Sequence, residues 1–454
     1  MFDELRPLLR LAIPVVLAEL GWMSMGLVDT LMVGRLGPAA IAATGMGSGV
    51  FTAIVIFGTG LMLGLDALVS QSAGAGRLDE CLRWLHQGVV LAILVTPGVM
   101  LLTWVAYLTI DAWGLNPQIG SLARPYLEVI ALSAAPLLFY AAFRRYLQGL
   151  HVVRPVMYAL VSANFVNAAG NAILIYGRLG APALGVTGSA WSTSIARLYM
   201  AAFLYFAIRR AHRRRGAAHP HVPFSVHVDR LRRLVALGAP AASQITLEVG
   251  VFALATALAA RLDAVSSASH QIALNIVSLV FMVPLGLASA GAVRVGHAVG
   301  GRDVVRARRA GWTALGLGAV IMIMLGFVLF TFPTSLLSVF TTDTRVLAIG
   351  SRLLAIAAAF QLFDGTQAVT TGVLRGIGDT RTPMVMNVIG HWVLGLPVGY
   401  ALCFRFAWGV TGLWIGLSIG LIFCAVALTL TWIARMRRLE MPPDVHPAEP
   451  MEML

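Results

Sequence analysis

Long apolar runs, most of them at or beyond the ~20 residues that cross a bilayer, follow one another along the 454-residue chain. They fall near residues 8–34, 45–72, 85–110, 123–147, 155–177 and 184–209. A second set lies near 231–259, 266–298, 310–332, 346–374, 383–404 and 409–433. In lipid, an isolated segment has to satisfy its backbone polar groups within itself. Twelve such runs therefore predict an all-α membrane protein with twelve transmembrane helices. The first run contains Pro14, Glu19 and Asp29 and lacks a small-residue cleavage site, so it reads as a retained span rather than a signal peptide. The connections are short, with one exception: "RRAHRRRGAAHPHVPFSVHVDRLRR", from Arg209 to Arg233. This stretch divides six spans from six. The expected organisation is an N-terminal lobe over 1–209, a linker over 210–230, a C-terminal lobe over 231–435 and a disordered tail over 436–454.

The two sets resemble each other. "LAIP" (11–14) matches "LGAP" (237–240), "GAGR" (74–77) matches "VGGR" (299–302), and "YLQG" (146–149) matches "VLRG" (373–376). "GVTG" opens both the sixth span (185–188) and the twelfth (409–412). Six spans is an even number, so both halves enter the membrane in the same sense. The expected lobes are then related by a pseudo-twofold axis along the membrane normal, as in parallel-repeat transporters. GxxxG steps at Gly60/Gly64, Gly372/Gly376, Gly395/Gly399 and Gly412/Gly416 predict close helix packing.

Composition excludes several classes. Hydrophobic residues make up 58% of the chain and charged residues 12%, against about 25% charged in soluble domains. All 33 basic residues are arginine, so no Walker A lysine exists and the chain does not hydrolyse ATP through its own P-loop. The net charge of +13 does not mark a nucleic-acid binder, because the arginines sit in loops between apolar spans. Placing both termini and the 2–3, 4–5, 6–7, 8–9 and 10–11 loops on one side puts 25 arginines there. Seven fall opposite, and Arg197 lies within the sixth span. The positive-inside rule then expects both termini in the cytoplasm. Cys81, Cys403 and Cys424 have no metal-type spacing, and "GLSIG" (416–420) lacks the strand–turn–helix context of a nucleophile elbow. No catalytic set is present, so an enzyme is not expected.

Six of 20 acidic residues fall inside spans: Glu19, Asp29, Asp66, Glu128, Glu248 and Asp364. An intramembrane acid costs several kcal/mol unless it meets a partner or lines a cavity. Glu248 and Asp364 lie near mid-span, with Gln244 one turn before the first and Gln367 nearly one turn after the second. Asn275 adds an amide from the eighth span. Two carboxylates and an amide suit a hard cation that prefers oxygen ligands, or a carboxyl that carries a proton. In the first half Asn164, Asn167 and Asn171 share one face of the fifth span, with Asp29 as the natural acid to meet it. In the repeat Asp29 corresponds to Ala255 and Glu248 to Trp22, so the acids do not follow the duplication.

"SMGLVDTLMVGRLG" (24–37), "HQIALNIVSLVFMVPLGLASAGAVRVGHAVG" (270–300) and "DGTQAVTTGVLRGIGDTRTPM" (364–384) resemble the multidrug and toxic compound extrusion (MATE) family, closest to its bacterial NorM-like branch. The resemblance runs from about residue 8 to 435. It implies two six-helix lobes, location in the bacterial inner membrane, and export of organic cations driven by Na⁺ or H⁺, with no other cofactor and no nucleic acid. The chain is expected to act as a monomer among membrane lipids. By motif, Glu248, Asn275 and Asp364 are implied as the C-lobe coupling-ion site, the two carboxylates holding Na⁺ if sodium is the ion. Asp29, Asn167, Asn171 and Thr193 (in "WSTS") are implied as the N-lobe polar or proton site. This chain departs from the pattern at Asn171, where some branches have Asp, at Gly378, where Lys is common, and at Phe360, where some members have Tyr. The alternative is a lipid-linked precursor flippase of the wider superfamily, which would want a cationic cavity; Arg197 is the main mid-membrane cation.

Overall fold

The computed structural model describes residues 2–114, 116–214 and 222–440. Linker residues 215–221 and tail residues 441–454 lie outside the described residues. Among the described residues all regular structure is helical. In chain order the long helices are α1 Phe2–Val33, α2 Pro38–Gly74, α3 Leu78–Thr109 and α4, which runs as Pro117–Ala131 and Ala134–Gly149. Next come α5 Arg154–Leu174, α6 Val186–Arg214, α7 Val228–Ala259 and α8 Ala264–Gly300. The last four are α9 Val304–Thr331, α10 Thr344–Gly376, α11 Arg381–Arg405 and α12 Gly409–Glu440. Ten are long and apolar enough to cross a membrane, and α4, bent by 49°, makes eleven. The twelfth expected span is α6. It is 29 residues long, yet it buries Ser189, Ser192, Thr193, Ser194 and Arg197, which dilute its apolar character for a reason that its contacts supply below.

The chain forms two compact units, Leu17–Ala242 and Met1–Val16 with Ser243–Leu454. They differ from the expected lobes at one kind of place. The first half of α1 packs with the C-terminal unit, and the first half of α7 with the N-terminal unit. Specific contacts account for both exchanges. Glu4 on α1 is ion-paired with Arg294 on α8 and with Arg306 on α9, the latter at 3.1 Å. Gly286 on α8 takes the backbone of Val16 against it, where a Cβ would meet the Val16 nitrogen at 2.9 Å. In the other unit Arg230 on α7 pairs with Glu80 on α3, and the Gln87 amide donates to Ser225 O at 2.8 Å.

The expected GxxxG packing is present within each unit. In the N-terminal unit a Cβ on Gly60 would lie 2.6 Å from Ala242 Cα. In the C-terminal unit Gly372 and Gly376 press on the carbonyls of Ala288 and Ala292, and Gly416 lies against the backbone of Gly399. The α11 side of that seam is π-helical over Val388–Gly395 and again over Ala401–Arg405. The expected disorder from 436 needs a correction, since α12 continues to Glu440. Arg435 pairs with Asp379 at 2.9 Å and Met436 is buried, which gives the last turns an amphipathic reason to stay helical.

Candidate functional site

In the N-terminal unit α1, α5 and α6 bring four sequence-predicted residues into one network. Asn171 Nδ2 donates to Asp29 Oδ1 at 2.6 Å, and Thr193 Oγ1 donates to Asp29 Oδ2 at 2.9 Å. Asn171 Nδ2 also reaches Asn167 Oδ1 at 3.3 Å, and Asn167 Nδ2 reaches Thr193 Oγ1 at 3.4 Å. All four side chains are buried. The arrangement follows from spacing: residues four apart on α5 stack on one face, and that face meets the polar turn of α6. Asn164, a turn earlier, serves the backbone instead and donates to Gly21 O at 2.9 Å.

In the C-terminal unit the acids come from α7 and α10. Asn387 Nδ2 on α11 donates to Glu248 Oε2 at 3.3 Å, and the amides of Gln367 and Gln244 also interact with this carboxylate. Asp364 is buried and close enough for its charge to interact with that of Glu248. Gln367 Oε1 and Asn387 Oδ1 are buried acceptors without a donor. Two carboxylates and unpaired amide oxygens form an oxygen-rich set, the kind a hard cation prefers. Asn275 stands apart. It is exposed, and its hydrogen bond is with Gln271 one turn away. Sequence reasoning missed Asn387; its signal was a lone amide in the apolar run 383–404. One turn further His391 is fully buried against Phe252 with neither ring nitrogen hydrogen-bonded.

The remaining intramembrane acids are explained by arginines or by exposure. Glu19 on α1 is ion-paired with Arg144 on α4, both buried, and Asp66 on α2 lies 3.4 Å from Arg145. Glu128 is exposed. Among the described residues neither Asp29, Glu248 nor Asp364 lies within ion-pair distance of an arginine. His270 is also accounted for: the Trp414 indole donates to its Nδ1 at 3.0 Å, so that nitrogen is unprotonated, and Nε2 faces Thr256 Oγ1 at 3.0 Å. Among the described residues no three His, Cys, Asp or Glu side chains converge as metal ligands.

Arg197 on α6 is, like Arg144, a buried cation of the N-terminal unit. Its Nη1 donates to Ser133 Oγ at 2.6 Å, and its guanidinium lies 4.8 Å from the Phe51 ring centroid and 6.0 Å from that of Trp22. Nε has no partner.

A family model described as MatE matches residues 14–173 and again 240–401, once in each half of the repeat. A relative from Mesorhizobium japonicum described as "Probable multidrug resistance protein NorM" is 36% identical, with 96% of this chain and 95% of that protein covered. One of the same description from Bradyrhizobium diazoefficiens is 35% identical over the same shares. Among solved structures, the eukaryotic MATE transporter AtDTX14 matches with a TM-score of 0.87 at 21% identity, over 96% of this chain and 98% of that one. A multidrug resistance MATE family transporter in an outward-facing conformation matches with a TM-score of 0.86 at 21% identity, over 95% and 96%. At these identities the two structures speak for the fold.

Proposed function

The chain belongs to the MatE family, and from that membership we propose that it is a multidrug efflux antiporter that expels organic cations in exchange for inward-moving Na⁺ or H⁺. As a member of that family it is a multi-pass membrane transporter, not an enzyme. Multidrug export rests on the names of the relatives, and the cationic cargo on the resemblance to MATE transporters and on the acids inside the spans. The exchange rests on one observation, the Glu248–Asp364 pair: a half-buried Glu248 that accepts from the Asn387 amide and a buried Asp364 whose charge interacts with it, with no arginine in ion-pair contact among the described residues. Such a pair needs a cation or a proton to offset its burial. If an incoming ion binds one conformation of the C-terminal unit better than the other, its gradient shifts the equilibrium between them. The lower-cost reading of the arginine placement puts both termini in the cytoplasm of a bacterial inner membrane.

The test is dye efflux from vesicles holding the purified chain, with Na⁺ and pH gradients imposed separately. Efflux of a lipophilic cation that responds to one of the two supports the antiport. Indifference to both gradients, in protein that still binds the dye, removes it and leaves facilitated passage or the flipping of lipid-linked precursors.

A further inference from the structure

One helix seam is closed in the C-terminal unit, while its repeat counterpart in the N-terminal unit holds a groove. Aligning the two "GVTG" motifs sets Met200 opposite Cys424, Phe206 opposite Leu430 and Arg210 opposite Ala434. Near Cys424 the helices α11 and α12 touch: a Cβ on Gly390 would meet Gly420 O at 2.8 Å, and Cys424 Sγ reaches Met386 O at 3.3 Å. In the N-terminal unit α5 and α6 approach in the same way further from their arginine-bearing ends, where Ser192 Oγ donates to Asn167 O at 2.7 Å. Nearer those ends aromatic side chains stand in the seam. Tyr158 on α5 and Tyr199, Phe203 and Phe206 on α6 line a groove of about 480 Å³, with Arg210 at its mouth. Tyr158 and Phe206 are 55% and 63% exposed, so the groove is open.

Depth and charge set the chemistry of its occupant. From Tyr199 to Arg210 α6 rises about 16 Å, close to half of a ~30 Å hydrocarbon core; the groove is one leaflet deep. Arg154 directly precedes Pro155, another lining residue, and Arg209 and Arg213 flank Arg210. All four arginines are exposed. Among the described residues none of them is ion-paired with an acid; Arg209 lies over the Tyr205 ring, 5.8 Å from its centroid. A positive mouth above an aromatic channel repels a lipophilic cation and suits an anion with an apolar tail. A peptide lying there would carry unpaired backbone groups to hydrocarbon depth.

We propose that this groove binds one anionic phospholipid of the cytoplasmic leaflet, its phosphate held by Arg154 and Arg210 and an acyl chain lying along the four rings. The arginine count assigns this end of α5 and α6 to the cytoplasmic side, where anionic lipids give the membrane surface its negative potential. Guanidinium groups grip phosphate through paired N–H···O bonds. A zwitterionic lipid brings its own ammonium to the same arginines and is the weaker ligand. The bound lipid joins the cytoplasmic ends of the two helices that carry Asn167, Asn171 and Thr193, and it stabilises the N-terminal unit by mass action.

The test is thermal unfolding of the purified full-length chain in a neutral detergent, with phosphatidylglycerol or phosphatidylcholine of identical acyl chains added. Phosphatidylglycerol should raise Tm by several degrees and phosphatidylcholine by much less, and native mass spectrometry should find one phosphatidylglycerol retained per chain. Arg154→Gln/Arg210→Gln should lose both effects. Ala202→Phe, which fills the groove and keeps every arginine, should lose them too. Arg232→Gln/Arg233→Gln, which removes two exposed arginines elsewhere on the same side, should keep them. Equal loss in the two arginine pairs would mean that general surface charge attracts the lipid, and would overturn the proposal. So would an equal response to both lipids, an undiminished response in Ala202→Phe, or the same rise with glycerol 3-phosphate, which has the head and no chain. A rise with tetraphenylphosphonium that Ala202→Phe abolishes would make the groove a cargo site instead. No gradient or transported cargo enters the lipid arms, so their result is separate from the fate of the antiport reading.

Discussion

An acid inside a membrane-spanning helix is tolerated through a basic partner, through neutral donors, or through a bound ion or proton. Glu19 uses the first route with Arg144 and Asp29 the second with Asn171 and Thr193; Glu248 accepts from Asn387 beside Asp364, and under the proposed exchange this pair takes the third. The routes make different predictions. Glu248→Gln and Asp364→Asn should each abolish gradient-driven efflux, since the amide keeps size and hydrogen bonding but removes the charge an ion needs. Both variants should insert normally with Tm unchanged or raised, because a neutral amide costs less to bury. Wild-type coupled efflux in either would show that acid to be structural. Asn275→Ala should have little effect, its side chain being exposed and bonded to Gln271. For Glu19 the expectation reverses. Arg144→Met should cost about 3 kcal/mol or more by stranding a buried carboxylate, and Glu19→Gln/Arg144→Met should recover most of it in an unfolding assay. The N-terminal network was legible in the sequence because Asn167 and Asn171 repeat at helical spacing beside a single candidate acid. Asn387 and Asn275 were not, since one amide in an apolar run does not say which way its helix is turned.

At the scale of elements, glycines decide how near two helices come. Gly416 lies against the Gly399 backbone, so α11 and α12 meet without side chains between them. Gly45, on α2, has nothing within 4 Å of where a Cβ would be. Gly416→Val should therefore prevent assembly of the seam and reduce the folded yield measured by size-exclusion chromatography, whereas Gly45→Ala should leave it unchanged. A normal yield for Gly416→Val would mean the seam opens easily. The GxxxG spacing announced this packing, and the structure adds its partner. The π-helical turns of α11 were invisible to a reading based on a 3.6-residue period, because an extra residue per turn leaves the composition as it was. The polar face of α6 shows the same limit: Thr193 and Arg197 lower its hydropathy because they face a network, and hydropathy alone does not say what a residue faces.

For the whole molecule, the repeat and the number of helices were legible, while the division into units was not. Hydropathy cuts the chain at its one long loop, but packing assigns Met1–Val16 to the unit of Ser243–Leu454, and residues up to Ala242 to the other. Contacts such as Glu4 with Arg294 are set by side chains 290 positions apart, which no local pattern encodes. The orientation inferred from the arginines is testable by site-directed labelling, helped by the burial of Cys81, Cys403 and Cys424. Single cysteines placed in 210–232 should react only with reagents admitted to the cytoplasm, and those in 110–122 with impermeant reagents outside; the reverse pattern would overturn the assignment. The exchanged first half of α1 also carries a consequence for biogenesis. At roughly 5–20 residues per second, Arg294 leaves the ribosome on the order of 15–60 s after Glu4. Through that interval Glu4, just ahead of the first apolar run, lacks the arginines that hold it in the finished unit. Glu4→Gln should ease that interval while weakening the finished C-terminal unit, so its nascent chains would survive better than its mature protein.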